Sequence, residues 1–201
     1  MKFIGITGGV GAGKSAILQY LEKKENVRVM YADEIAHELM EPDTPVYQQI
    51  CTLFEGEELL ALDGSIDRPK MAALIFSDAS KRQQLNAIVH PAVKEYVKKQ
   101  FALEKSKGEL RVLVLEAALL IEEKYDEICD ELWYIDSSEE NRRLRLKESR
   151  GYSDEKIDGI FASQLPCEVY RKACQVSIDN NGSLEDTFIQ IERALRRNEN
   201  E

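Results

Sequence analysis

The chain has 201 residues, 43% of them hydrophobic and 32% charged, and carries a formal net charge of −10 at pH 7. This composition is typical of a folded, globular chain of one α/β domain with room for an inserted lobe, and not of a disordered one. The acidic balance argues against a broad nucleic-acid-binding face, which would need a basic excess. Any polyanionic small ligand must therefore be met by local basic clusters.

The chain shows no targeting or membrane signal. No apolar run approaches the length of a membrane span, and a β-pattern begins at residue 3, which leaves no room for a signal peptide. Cys51, Cys129, Cys167 and Cys174 lie far apart without the spacing of a metal site. We expect reduced thiols in a cytoplasmic protein with no membrane or nucleic-acid partner.

The first predicted element is a short strand over residues 2–7, followed by a glycine-rich loop. Residues 8–15 read Gly-Gly-Val-Gly-Ala-Gly-Lys-Ser, which matches the phosphate-binding loop Gly-x-x-x-x-Gly-Lys-Ser, or P-loop. An ordinary glycine-rich turn is the alternative. The strand before the match and the amphipathic helix after it, with Ile17, Leu18 and Leu21, favour a nucleoside triphosphate site.

The chemistry of such a loop explains its composition. Glycines allow the chain to approach a ligand closely, so that successive backbone N–H groups can surround phosphate oxygens at a helix N-terminus. Lys14 can reach the β- and γ-phosphates, and the Ser15 hydroxyl can bind Mg²⁺. The predicted ATP contacts in this loop are Gly8, Gly9, Val10, Gly11, Ala12, Gly13, Lys14 and Ser15.

A second strand is predicted over residues 27–31 and is followed by Asp33. Open parallel sheets place their chemistry at the carboxyl ends of strands, so Asp33 is a candidate catalytic carboxylate. Asp33 fits equally well as the N-cap of a helix over residues 34–40. The spacing leaves both roles open.

Residues 42–108 contain helical patterns and no convincing strand. The patterns cover roughly residues 45–54, 69–76, 79–89 and 91–107. We interpret this segment as a helical insertion that binds a substrate or supports a lid. Within it, Arg68 at a helix start is either a solvated charge or a ligand contact. His90 before Pro91 is either a helix-breaking junction or a ligand contact.

A third strand over residues 110–116 is nearly continuous in apolar residues and ends in Glu116, a candidate acid for holding Mg²⁺ directly or through water. Strands over residues 131–136 and 176–179 follow, and a last helix over residues 184–195 is predicted to use Ser183 as its cap.

A basic cluster follows the fourth strand and consists of Arg142, Arg143, Arg145, Lys147 and Arg150. Such clusters are commonly solvated helix faces that pair with nearby glutamates. In this acidic chain we favour a phosphate-clamping lid near residues 145–155, because the planar guanidinium binds phosphate oxygens in a bidentate fashion.

These elements predict an α/β fold of the three-layer P-loop NTPase type, with a five-stranded parallel sheet, a helical acceptor-binding insertion and a lid. One domain is expected over residues 1–201. Its nucleotide-binding core would comprise residues 1–41 and 109–201, and its insertion residues 42–108.

Several short motifs occur together in chain order. They are the P-loop, Ala32-Asp33, Asp67-Arg68, His90-Pro91, Leu119-Leu120-Ile121-Glu122, Gln164 and Ile178-Asp179-Asn180-Asn181-Gly182. In this combination the chain resembles the dephospho-coenzyme A kinase family over roughly residues 2–190. It departs from the family pattern at Tyr31, Ala118 and Cys174-Gln175.

The resemblance implies transfer of the γ-phosphoryl group of ATP to the ribose 3′-hydroxyl of dephospho-CoA, which is the last step of coenzyme A synthesis. It implies that Asp33 is the general base and that Arg68 and His90 bind the acceptor. Arg145 and Arg150 would form the lid, although Arg143 remains an alternative. Asn180 and Gly182 would belong to the adenine pocket.

The implied co-substrate is ATP with Mg²⁺. Ser15 would bind the metal ion directly, and Glu116 would bind it through water. We expect a monomer or a weak homo-oligomer. A nucleoside or nucleotide kinase is the nearest alternative and differs only in its acceptor. A GTP-dependent switch would need an Asn-Lys-x-Asp guanine motif, which the sequence lacks.

Overall fold

The computed structural model describes residues 1–197, so the last four residues of the predicted nucleotide-binding core lie outside the described part of the chain. The strands are β1 Lys2–Thr7, β2 Val27–Tyr31, β3 Val112–Glu116, β4 Glu131–Asp136 and β5 Val176–Asp179. The helices are α1 Lys14–Glu22, α2 Ala32–Leu39, α3 Pro45–Leu53, α4 Arg68–Ser77, α5 Ala79–Lys107, α6 Glu139–Arg150, α7 Asp154–Ala162, α8 Cys167–Ala173 and α9 Leu184–Arg196. A short 3₁₀ turn covers Tyr125–Glu127.

The chain divides into two compact units. The first contains residues 1–30 and the chain from Lys107 onward, and the second is Tyr31–Ser106. The predicted insertion at residues 42–108 falls almost wholly within the second unit. That unit also includes α2, which the sequence analysis assigned to the core.

The first unit is built on the predicted five-stranded parallel sheet, with strand order β2-β3-β1-β4-β5. Strand β1 pairs in parallel with β3 on one side and β4 on the other, and β4 pairs in parallel with β5. Phe3, Ile4 and Ile6 are fully or almost fully buried, as expected for a central strand covered on both faces. Because parallel strands end at one edge, the loops after β1, β3, β4 and β5 lie together.

Helix α1 packs against α9 next to this sheet. It buries Ile17, Leu18 and Leu21, as its periodicity predicts. The ring of Tyr20 stacks on that of Phe188 with centroids 4.0 Å apart. Since α1 directly follows the glycine loop, this packing holds the N-terminus of α1, and with it the end of the loop, in place.

In the second unit, α5 runs unbroken for 29 residues through Pro91, so the predicted division into helices over residues 79–89 and 91–107 is wrong. A proline inside a helix removes one hydrogen bond and crowds the preceding turn. Here Leu85, Val89, Val93 and Val97 are all buried and recur every four residues on both sides of the proline. This continuous apolar face keeps the helix intact. His90 therefore lies within α5 and not at a junction between two helices.

Helix α2 begins at Ala32 with Tyr31 as its N-cap, so the alternative role of Asp33 as N-cap is wrong. Asp33 lies instead in the first helical turn, with an exposed side chain. A carboxylate there is stabilised by the helix dipole. All four cysteines are free thiols, and within residues 1–197 no helix meets the length and hydrophobicity that crossing a lipid bilayer requires.

Candidate phosphate-binding site

The glycine loop joins β1 to α1, in the strand–loop–helix context that a P-loop requires. Gly13 has a φ of +89°, in the left-handed region that favours glycine. A Cβ atom at Gly13 would also lie 2.4 Å from Nδ2 of Asn180, which is closer than real Cβ contacts allow. This position is therefore restricted to glycine by its backbone and by its neighbour.

Lys14 is the first residue of α1 and its side chain is largely enclosed. Its Nζ donates a hydrogen bond of 2.8 Å to the carbonyl of Gly8 and lies 3.7 Å from Oε1 of Glu116. Burial lowers the pKa of Lys14, and the positive charges of Arg142 and Arg150 lower it further, while Glu116 opposes the shift. Additional negative charge would therefore stabilise the ammonium form of Lys14, and triphosphate oxygens would supply that charge.

Ser15 and Glu116 offer oxygen donors on this side of the loop. Ser15 is the second residue of α1 and exposes its side chain, whereas Glu116 ends β3 beside Lys14. Hydroxyl and carboxylate oxygens suit Mg²⁺, which is commonly bound by one or two protein groups together with substrate phosphates. No group of three or more His, Cys, Asp or Glu residues that could hold a metal ion occurs within residues 1–197.

Arg145, a predicted lid residue, extends from α6 to the glycine loop. Its Nη1 donates to the carbonyl of Ala12 and to Oγ of Ser137, both at 3.1 Å, and its Nη2 donates to the carbonyl of Asn180 at 2.7 Å. The guanidinium therefore connects the P-loop to the loops after β4 and β5. Contact between Arg145 and a nucleotide stays a prediction.

Asn180, predicted to lie in the adenine pocket, has a buried side chain next to the P-loop. Its Nδ2 donates to the carbonyl of Ala12 at 2.7 Å, and its Oδ1 accepts a hydrogen bond of 2.9 Å from Thr187. Ala12 thus accepts from both Asn180 and Arg145. Gly182 is exposed two residues further on. The side chain of Asn180 is engaged by Ala12 and Thr187. An adenine contact at this position would therefore involve the backbone of Asn180.

The rest of the basic cluster divides between two faces of α6. Arg143 pairs with Asp154 at 2.9 Å and with Asp158 at 2.5 Å, and Lys147 pairs with Asp154 at 2.8 Å. These contacts with α7 fit the solvated-face interpretation for Arg143 and Lys147. Arg150 ends α6 with its guanidinium 5.8 Å from the ring of Tyr152, and its charge acts on Lys14.

Three further residues lie around the loop: Arg142, which the sequence indicated only as a member of the basic cluster, and Ser137 and Thr187, which it did not indicate. Arg142 and Thr187 are buried, and Arg142 donates to the carbonyl of Val10 at 2.9 Å. Helical periodicity contained a signal for Arg142, because it lies four residues before the buried Leu146 and three before Arg145. These spacings put all three residues on the inner face of α6.

The predicted acceptor residues lie in the second unit. Arg68 starts α4 behind the N-cap Asp67, and its Nη2 lies 3.4 Å from Oε1 of Glu41. It lines a cavity of about 460 Å³ that also includes His37 and Met40. His90, in the middle of α5, does not line this cavity. The structure therefore gives Arg68 a concave setting, and His90 lies outside this cavity.

Replacement of Gly13 by alanine is expected to weaken ATP binding at least about 10-fold and to destabilise the fold by about 1–3 kcal/mol. The new methyl group would displace Asn180 from Ala12 in a backbone conformation unfavourable for alanine. Calorimetric ATP titration and thermal unfolding measure the two effects. Gly159→Ala is the matched control, since Gly159 lies within α7 with open space around its Cβ position. Equal behaviour of the two variants would contradict this account of Gly13.

Comparisons with known proteins agree with this geometry. The model of the family described as dephospho-CoA kinase matches residues 2–186. A dephospho-CoA kinase of Shouchella clausii is 39% identical over 198 residues, which cover 98% of this chain and 99% of that relative. A crystal structure of a protein from Thermus thermophilus is 28% identical, with a TM-score of 0.79 over 98% of this chain and 97% of that one.

The dephospho-CoA kinase from Campylobacter jejuni shares the fold at 20% identity, with a TM-score of 0.73 over 98% of this chain and 96% of that one. The family match spans most of the chain, including the P-loop, Asp33, the insertion and α6. This chain belongs to the dephospho-CoA kinase family.

Proposed function

We propose that this protein transfers the γ-phosphoryl group of ATP to the ribose 3′-hydroxyl of dephospho-CoA, releasing CoA and ADP. The observation that carries this proposal is an intact P-loop, backed by arginine and asparagine side chains, in a chain that matches the family from residue 2 to residue 186. Phosphoryl transfer needs positioning and neutralisation of charge more than covalent chemistry from the protein.

The loop supplies both requirements. Its N–H groups would bind the phosphate oxygens, while Lys14 would leave the carbonyl of Gly8 and move to the β- and γ-phosphates. Ser15 would hold Mg²⁺, with Glu116 binding it through water. The ion would neutralise charge on the phosphate oxygens. Arg150 would close over the phosphates from the end of α6 and exclude water, which suppresses hydrolysis of ATP. Arg145 would have to leave the carbonyls of Ala12 and Asn180 to join it.

The acceptor side of the proposal rests on the second unit. Asp33, exposed in the first turn of α2 directly after β2, would orient the 3′-hydroxyl and accept its proton. Arg68, on the wall of its cavity, would bind an anionic part of dephospho-CoA. His90 is proposed as an acceptor residue on the family resemblance alone.

The assignment is tested by measuring ADP release from Mg-ATP with and without dephospho-CoA, alongside adenosine, AMP and pantothenate. Strong stimulation by dephospho-CoA alone is expected. Stimulation by adenosine or AMP would instead identify a nucleoside or nucleotide kinase with the same P-loop, and would overturn the proposed acceptor.

The lowered pKa of Lys14 predicts that ATP binding is accompanied by proton uptake. Phosphate charges favour the ammonium form, so ATP raises a pKa that burial holds below 10.5 in the free protein. Protons are taken up at pH values between these two pKa values and not well below both, where Lys14 is charged in both states. Calorimetry in buffers of different ionisation enthalpy measures the uptake. Lys14→Arg should abolish it, since arginine stays protonated; equal uptake by that variant would exclude Lys14 as the source.

A further inference from the structure

Arg142 is a buried arginine without a role in the proposed reaction. Only 6% of it is exposed. Its Nε donates to the carbonyl of Val10 at 2.9 Å, and its Nη2 donates to Oε1 of Gln164. The centre of its guanidinium lies 4.2 Å from the ring centroid of Phe161, near the end of α7. This one side chain therefore contacts the apex of the P-loop and the C-terminal end of α7.

Gly9 shows how closely the guanidinium approaches the loop. A Cβ atom at Gly9 would lie 2.4 Å from Cζ of Arg142 and 2.5 Å from its Nη2. Gly9 is not one of the fixed positions of the P-loop pattern. Arg142 occupies the space that a side chain at this position would take, so the guanidinium would have to shift if Gly9 were replaced.

The charge of Arg142 is poorly compensated. Its partners within residues 1–197 are a carbonyl, an amide oxygen and an aromatic ring, and it forms no ion pair with a carboxylate there. Burying an arginine without a carboxylate is expensive. A polyanion bound near the loop would offset this desolvation cost, because the guanidinium would then stabilise the ligand as well as the loop.

The loop geometry explains why a donor at Val10 matters. In a P-loop the N–H groups point at the phosphates, so its carbonyls point away and need donors of their own. The carbonyl of Ala12 accepts from Arg145 and Asn180, and that of Val10 accepts from Arg142. Arg142 thus supplies the donor for the carbonyl of Val10.

We propose that Arg142 is a positioning residue for the nucleotide phosphates. It holds Gly9 and Val10 in the phosphate-binding conformation, places positive charge behind them, and couples that conformation to α7 through Gln164. This inference rests on the proposed function for its nucleotide and concerns no acceptor contact.

The test compares Arg142→Met, Arg142→Lys and Gln164→Ala with the wild-type protein in calorimetric titrations with Mg-ADP and in steady-state kinetics. Arg142→Met is expected to weaken ADP binding about 10- to 100-fold and to raise KM for ATP to match, since a buried charge-assisted hydrogen bond is lost. KM for dephospho-CoA should stay within about 2-fold, a split that a general loss of folding would not produce. Arg142→Lys should recover part of the affinity because it keeps the charge.

Gln164→Ala keeps the arginine and should weaken ADP binding about 3- to 10-fold. Its effect should disappear in the Arg142→Met background, since the two residues act as one unit. Arg193→Met, which removes an exposed arginine from α9, is the control and should bind ADP like the wild type. If Arg142→Met fails to fold, Gln164→Ala and Arg142→Lys still decide the outcome.

Mg-ADP affinities within about 2-fold of wild type for every variant that folds would overturn the proposal. Because ADP binding needs no acceptor, this result is independent of the acceptor assay. If dephospho-CoA did not stimulate ADP release by the wild-type protein, the proposed function would be overturned while the role of Arg142 would stand.

Discussion

Replacement of Asp33 by asparagine is expected to lower kcat by about 10²- to 10⁴-fold while ATP affinity stays unchanged. Asparagine keeps the shape of the side chain and removes the carboxylate that would take the proton of the 3′-hydroxyl. Exposure of Asp33 in the first turn of α2 also means that the substitution should cost little stability. Initial rates with dephospho-CoA and calorimetric ATP titration measure the two quantities separately.

Glu34→Gln is the matched control, because Glu34 is an exposed carboxylate in the same helical turn. We expect it to retain wild-type turnover. A near-normal kcat for Asp33→Asn would contradict the role of general base. An equal loss in both variants would point instead to the combined charge of the helix start.

Replacement of Lys14 by methionine is expected to lower kcat by about 10²- to 10³-fold and to weaken ATP binding. Methionine preserves length and apolar packing but removes the cation enclosed beside the carbonyl of Gly8 and the carboxylate of Glu116. The developing charge on the transferred phosphoryl group then loses its nearest mobile counter-charge. Rapid-quench measurement of the chemical step gives this effect without interference from product release.

Lys23→Met serves as control, since Lys23 is an exposed lysine just after α1. Its kinetics should match those of the wild type. Full turnover by Lys14→Met would show that the P-loop lysine does not stabilise the transition state. The phosphates would then have to be neutralised by the arginines of α6.

Local patterns predicted the nucleotide-binding part of the fold. The strands were readable because each is a short apolar run, and β1 was followed by glycines whose spacing is set by contact with phosphate. The parallel sheet of five strands is confirmed. The N-cap role of Ser183 was also predicted from the sequence, because capping depends only on residues three positions apart.

Tertiary packing determines the continuity of α5 and the orientation of the arginines of α6, which local sequence patterns do not indicate. Pro91 favoured a break, but the buried valines on both sides of it hold α5 together as one helix. The basic cluster looked uniform in sequence, yet it divides according to which face of α6 meets the P-loop. Arg142 and Arg145 bind carbonyls of the loop, whereas Arg143 pairs with acids of α7.

The central claim is that the acceptor is dephospho-CoA and that its ribose 3′-hydroxyl is phosphorylated. We would test it by incubating the protein with γ-labelled ATP and dephospho-CoA, then identifying the labelled product by chromatography and tandem mass spectrometry. We expect stoichiometric label on the 3′-oxygen of coenzyme A, with ADP as co-product. Label found only in inorganic phosphate, or on another position of the acceptor, would contradict it.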